Sequence, residues 1–311
     1  MREMTLLETS SAYCQRLTRE RARNFYYGFL LLPRARREAF CAIYAFMRYC
    51  DDVADGSDSL PVKATLLREW KEALGRTLAG DYGDSMILPA FHAAVRQYAI
   101  PPEYFYELIA GAEMDLEVQM YRTFAELYQY CYRVASVVGL CSVHILGFDN
   151  RGFADPAAAK STALKLAEDC GIAFQLTNIL RDLREDAQAG RIYLPLEDLE
   201  QFQYSRDELR AGIYNPQFRN LMEFEIERAR EYYDRADGLI EMVAPESRPA
   251  LWTLVTIYRG ILSRIESNGA DVFSRTAVLS RWEKIGVLLQ ATARQLLQKT
   301  GFRPGWQRFR A

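Results

Sequence analysis

Residues 48–56 read RYCDDVADG, directly after AFCAIYAFM at 39–47. The preceding nine residues are apolar on nearly every side, as in a helix buried in an α-helical core. Pro33 supplies a start signal and Gly56 a stop. Asp51, Asp52 and Asp55 therefore occupy the last turn of a buried helix, where the macrodipole disfavours anions. Asp51 and Asp55 are four apart, so they share a face and repel one another. Helical packing of this kind sets the fold class, and the acids pose the functional question.

Working outward, helical periodicity dominates and no convincing alternating strand appears. Helices are predicted at 33–56, 62–79, 86–98, 102–120, 124–147, 155–189, 205–212, 216–243, 246–268 and 278–300. Asp155-Pro156 gives the sixth its cap and first turn, and Gly190 its stop. Neither a fixed-period repeat nor a low-complexity linker divides the chain, so the expectation is one all-α domain over 1–311.

Half of the 311 residues are hydrophobic, enough for a sizeable core. A net charge of −2 gives no global attraction to nucleic acid. Two histidines, His92 and His144, argue against a histidine-rich zinc or iron site. Six cysteines without a CxxC, most of them inside apolar runs, read as buried thiols in a reducing compartment. MREMTLLETSS lacks the apolar core of a signal peptide, and the most apolar window, 131–148, is interrupted by Arg133 and His144. The expectation is a cytoplasmic protein. P-loop, GxGxxG, HExxH and GxSxG signatures are absent, which removes the usual support for nucleotide folds and triad hydrolases.

A second acidic cluster lies in QLTNILRDLREDAQAGRIYLP, 175–195. Asn178, Asp182 and Asp186 are spaced i, i+4, i+8, so they line one helix face just before Gly190. A solvated acidic face is the plain alternative. Dipole and like-charge repulsion oppose it, as do the apolar flanks GIAFQLTNIL and AFCAIYAFM. Carboxylates in such surroundings want a cation, and oxygen ligands without His or Cys indicate Mg²⁺. Magnesium usually keeps waters and binds one or two carboxylates plus substrate phosphates. Two facing stripes therefore suggest a diphosphate bridged by metal ions. Arg48, Arg181 and Arg191 are placed to bind remaining phosphate oxygens. Arg184 reads equally well as an ordinary surface or ion-pair residue. Phe25, Phe29 and Phe46 offer ring faces to a carbocation, with core packing as the alternative. Gly139 and Gly171, inside helices, make room either for a ligand's apolar tail or for close helix packing.

The pair DDVAD and NILRDLREDAQAGRIYLP closely resembles the squalene/phytoene synthase family of head-to-head prenyl synthases. NFYYGFLLLP (24–33), AIYAFMRYCDDVAD (42–55), EMDLE (113–117), YCYRVASVVG (130–139) and IYRGILSRIE (257–266) extend the likeness over most of the chain. The resemblance implies an isoprenoid synthase helical bundle with a central apolar cavity. It assigns Asp51, Asp55, Asn178, Asp182 and Asp186 to Mg²⁺-diphosphate, with Asp52 beside them in the catalytic motif. It assigns Arg48, Arg181, Tyr258 and Arg275 to phosphate recognition or gating, and Tyr44, Tyr130 and Gln175 to the reaction centre. Where the family commonly has Ser, this chain has Asn24, a residue that can still donate to phosphate. The implied reaction joins two allylic diphosphates through their C1 ends. Likeness leans to two farnesyl diphosphates giving presqualene diphosphate in a hopanoid pathway, or a further C30 product. The alternative is a phytoene synthase using two geranylgeranyl diphosphates.

Other readings are a class I terpene cyclase and, outside enzymes, a helical binding scaffold. The cyclase usually pairs DDxxD with an Asn–Ser–Glu triad, where this chain has Asn178, Asp182 and Asp186. The scaffold leaves two repulsive acid stripes without a purpose. Use of NADPH is not indicated by the sequence, and oligomeric state stays open. The tail KTGFRPGWQRFRA (299–311) alternates basic and aromatic residues, a pattern suited to peripheral contact with an anionic membrane surface.

Overall fold

A computed structural model describes residues 5–151 and 153–299, without the side chains of residues 23–25, 298 and 299. The expectations on Asn24, on Phe25 and on the tail beyond 299 lie outside the described residues. The first helices are α1 (Leu6–Arg21), α2 (Arg23–Phe29), α3 (Arg34–Asp55), α4 (Leu60–Leu78), α5 (Leu88–Gln97) and α6 (Glu103–Glu117). Next come α7 (Phe124–Cys131), a π turn (Tyr132–Ser136), α8 (Val137–Leu146) and α9 (Pro156–Gln188). The remainder are α10 (Leu196–Gln201), α11 (Arg206–Ala211), α12 (Pro216–Arg235), α13 (Leu239–Met242), α14 (Arg248–Ser267) and α15 (Arg281–Lys299). The described residues form no strand, only the isolated bridges Met120–Ile192 and Phe148–Val243. The fold is all-α, and no helix among these residues is long and apolar enough to cross a membrane.

Side-chain pattern explains the arrangement. The inner face of α3 buries Phe40, Ile43, Met47 and Cys50 in an apolar cluster shared with α5, α6 and α8. The second half of α9 buries Leu176, Ile179, Leu180 and Leu183 in another cluster, shared with α12 and α14. Phe174 and Tyr132 pack against both clusters. Helices α3 and α9 each pack on α8 but not closely on one another, which leaves space between them. All six cysteines are buried free thiols.

Three expectations on local structure change. The helix expected at 124–147 is split by the π turn, where buried Ser136 donates to the Glu168 carbonyl at 2.7 Å. The helix expected at 216–243 ends at Arg235, because Gly238 takes φ +94°. Gly190 stops α9 in the left-handed region at φ +83°, whereas Gly56 caps α3 in extended backbone at φ −62°, ψ 170°. Helices α1, α2 and α10 went unread in the sequence.

Candidate active site

Counting along α3, Phe40, Ile43, Met47, Asp51 and Asp55 recur every three or four residues and face a common space. On α9 the corresponding stripe is Ala167, Gly171, Gln175, Asn178, Asp182 and Asp186. Both stripes run from apolar or small residues to acids toward the C-terminus. The space between is a cavity of about 560 Å³. Leu108, Ala112 and Asp115 of α6, Val138 to Leu146 of α8, and Ala250 to Tyr258 of α14 complete its wall. The acidic ends meet on one side: Arg191, just past α9, reaches Asp55 of α3 at 3.5 Å.

Electrostatics follow from this convergence. Asp51 is open to the cavity but ringed by protein. Loss of bulk solvent, opposed by Arg48 and reinforced by Asp55, Asp115 and Asp52, pushes its carboxyl up to about 7. Burial, with Asp182 the largest like charge and Arg191 opposing, likewise pushes Asp186 up to about 7. Both carboxyls therefore hold their protons more tightly than a solvent-exposed carboxyl does. Arginines already hold part of the charge. Arg48 Nε donates to Asp52 at 2.8 Å, and Arg181 grips Asp182 with two bonds of 2.8 and 2.5 Å. Lys63 Nζ donates to the Ala54 carbonyl at 2.8 Å, placing a cation at the C-terminus of α3.

The donor set suits magnesium. Five hard oxygen ligands from α3 and α9 line the cavity, and Asn178 Oδ1 is buried without a hydrogen-bond partner. Among the described residues no three acidic, thiol or imidazole side chains form a closed metal cage. An ion there would fill its shell from water and phosphate oxygens, as magnesium prefers.

Most residues singled out in the sequence line this cavity: Phe29, Tyr44, Arg48, Asp51, Asp55, Tyr130, Gln175, Asn178, Arg181, Asp182, Asp186, Arg191 and Tyr258. Gly139 and Gly171 line it too, but their smallness serves helix packing. A Cβ on Gly139 would sit 2.7 Å from the Ala167 carbonyl oxygen, and one on Gly171 2.4 Å from Ser136 Cα. Phe46 is not in the wall. It is fully buried in the core, stacked on Phe91 at 4.2 Å, so its expected cavity role is corrected to packing. Asp52 lies outside the lining, paired to Arg48. Arg275 is exposed between α14 and α15 and does not reach the cavity. Arg184 bonds the Phe273 carbonyl, a structural role.

Three lining residues, Asp115, Phe40 and Phe174, were quoted in the sequence without a role. Asp115 accepts from Tyr193 at 2.9 Å and from Tyr130 at 3.3 Å. Burial pushes its carboxyl up, and the two hydroxyls pull it back. It is the third acid between the two clusters, since its charge acts on both Asp51 and Asp186. An acid in apolar surroundings, as in EMDLE, is the signal that points to it. Phe40 and Phe174 also line the wall, and Phe174 stacks on Tyr258 at 4.1 Å.

Known proteins are similar to this chain in sequence and in fold. A family model described as squalene/phytoene synthase matches residues 18–283. The 15-cis-phytoene synthase of Synechococcus elongatus is 39% identical over 285 residues, 90% of this chain and 92% of its own. Chloroplastic phytoene synthase 1 of Arabidopsis thaliana is 35% identical over 300 residues, 96% of this chain and 70% of its own. A solved dehydrosqualene synthase superposes with a TM-score of 0.82 at 26% identity, covering 94% of this chain and 98% of its own. A solved squalene synthase from Alicyclobacillus acidocaldarius gives 0.75 at 28% identity, covering 85% of this chain and 96% of its own.

Proposed function

The chain belongs to the squalene/phytoene synthase family, and on that footing we propose that it joins two geranylgeranyl diphosphates head to head to give phytoene. It is a prenyltransferase. One observation carries the chemistry: two acid-ended helix stripes face each other across a cavity whose remaining wall is largely apolar away from the acids. A substrate with a diphosphate head and a hydrocarbon tail matches both ends. The chain length rests on likeness to phytoene synthases over nearly the whole sequence. Those relatives favour the C20 reading over the farnesyl and presqualene reading preferred from sequence. A C30 product remains the second reading, supported by the likeness to the dehydrosqualene synthase.

Asp51, Asp55, Asn178, Asp182 and Asp186 are the residues that would hold magnesium. Bound there with a diphosphate, magnesium supplies the positive charge that stabilises the departing group. The chain's own residues do the rest. Arg48, Arg181 and Arg191, exchanging Asp52, Asp182 and Asp55 for phosphate oxygens, turn guanidinium forks onto the substrate. Tyr130 and Tyr193 hold their protons on Asp115 and keep that buried acid satisfied. Ile43, Met47, Val138 and Leu254 keep water from the allylic cation left when the C1–O bond breaks. Phe29, Phe40 and Phe174 bring aromatic electron density to the same wall.

The test is product analysis with labelled C15 and C20 diphosphates, each with and without EDTA and NADPH. A C40 hydrocarbon from the C20 substrate that disappears with EDTA is the expected result. A C30 product alone overturns the chain length, and a C15 cyclic hydrocarbon alone overturns the condensation.

A further inference from the structure

We infer that Ser142 of α8 selects the tail length, by leaving room in the cavity wall for the fourth isoprene unit of a C20 diphosphate. The inference rests on the reading that a prenyl tail lies in this cavity, and deepens it. Depth follows from the helix contacts. Helices α8 and α9 run antiparallel: Ser136, at the start of α8, meets Gly171, and Gly139 meets Ala167. Moving forward along α8 therefore moves away from Asn178, Asp182 and Asp186. Counted down α9 to Gly171 and then along α8, Ser142 lies about 20 Å below Asn178. A C20 tail held by its diphosphate at the acids reaches that level, whereas a C15 tail ends about one helical turn higher.

The floor stands one step further. Val138, Ser142 and Leu146 all line the cavity at i, i+4, i+8, in steps of about 6 Å. One extended isoprene unit spans nearly one such step. Leu146 is held in place, because its carbonyl accepts from Ser247 Oγ at 2.8 Å. A Cβ on the next residue, Gly147, would stand 3.0 Å from the Arg36 guanidinium. Phe40, one turn beyond Arg36 on α3, lines the same end. Between these branched and aromatic side chains Ser142 carries the single hydroxyl among the described residues of the deep wall. A hydroxyl facing hydrocarbon needs a partner. Ser142 Oγ donates to the Val138 carbonyl of its own helix at 2.7 Å, which satisfies its proton and ties no second helix to α8. Gly139 and Gly171 spend their smallness on backbone contact, but Ser142 is half-buried and opens on the cavity. What it offers there is its small size. A leucine at this rung would put its methyls where the fourth unit lies.

The experiment measures kcat/KM of the full chain with magnesium on farnesyl and geranylgeranyl diphosphate, each alone, with products sized by mass spectrometry. In Ser142→Leu the C15-to-C20 ratio of kcat/KM should rise at least about tenfold over wild type, through loss on the C20 substrate alone. Ser142→Ala keeps the size and should keep the wild-type ratio. If circular dichroism shows lost helix in Ser142→Leu, Ser142→Val makes the same comparison and should shift the ratio the same way. An unchanged ratio in the larger variant, with wild type still making a C40 product, overturns the role of Ser142 and leaves the proposed reaction standing. Equal loss on both substrates also overturns it, since damage to the fold or to the acid site would act on both. A ratio moved as far by Ser142→Ala as by Ser142→Leu overturns the argument from size. A wild type that makes no C40 product overturns the chain-length reading and this inference together.

Discussion

Asp51 and Asp182 each sit at a helix end that repels them, so their retention serves a ligand and not the fold. Asp51→Asn and Asp182→Asn should each lower turnover by about 10³-fold or more. Apo stability of Asp51→Asn should stay equal or rise, because one like charge is gone, whereas Asp182→Asn also gives up the ion pair with Arg181. Near-normal turnover in either purified variant would remove them from the site. Gly171 makes the opposite case. A methyl there would meet Ser136 Cα at 2.4 Å, backbone that cannot step aside. Gly171→Ala should cost about 1–3 kcal/mol in urea unfolding, as overpacking does; an unchanged midpoint would show that the two backbones are not so tightly pressed. Residue register decided what was legible. Phe40 lies eleven positions before Asp51, only about 20° away around the helix, whereas Phe46 lies about 140° away. Counting back from the acid would have chosen Phe40 for the cavity and left Phe46 to the core, where it stacks on Phe91.

Helices with an apolar stripe were readable because burial imposes its period on sequence, and α3 and α9 came close to their true ends. Helix α1 escaped because it buries Ser10, Cys14 and Thr18, a stripe at i, i+4, i+8 without large apolar residues. Its hydroxyls find backbone partners: Ala90 N of α5 donates to Ser10 Oγ at 3.0 Å, and Thr18 Oγ1 donates to the Cys14 carbonyl within the helix at 2.8 Å. The π turn escaped because its cause is tertiary, the meeting of Ser136 with α9. Helix α12 is tied to α10 and α7 by a network equally hidden from periodicity. Arg228 bonds Asp198 at 2.6 Å and Glu225 at 2.9 Å, and its guanidinium lies 4.3 Å from the Phe124 ring centre. Both acids are buried, so Arg228→Met would strand two carboxylates in the core. The expected loss is about 3–5 kcal/mol in urea unfolding. A loss below 1 kcal/mol would mean that water or protonation relieves the acids without help.

Across the whole molecule, the acid site couples stability to pH and to ligand. Asp51 and Asp186 bind their protons more tightly folded than unfolded, because burial and like charges raise both carboxyls to about 7. The stability they contribute is therefore intact below about pH 4 and is lost as pH rises through about 7. The ligand-free protein should lose melting temperature between pH 5 and 8, and Asp51→Asn should flatten part of that slope. Magnesium with inorganic diphosphate acts in the other direction. It binds the ionised carboxylates, so its stabilisation should grow over the same interval. At 100-fold excess over its dissociation constant a ligand stabilises by about 2.7 kcal/mol, which for a chain of this size is roughly 4 °C. Melts at pH 5.5 and pH 8, with and without the pair, read both effects. The expected pattern is a small ligand shift at the lower pH and a large one at the higher. Equal shifts at both values would mean that the ion does not compete with protons at Asp51 and Asp186. A shift from diphosphate alone, without magnesium, would assign its binding to Arg48, Arg181 and Arg191. The acidic stripes would then need a different reason for standing against their own helix dipoles.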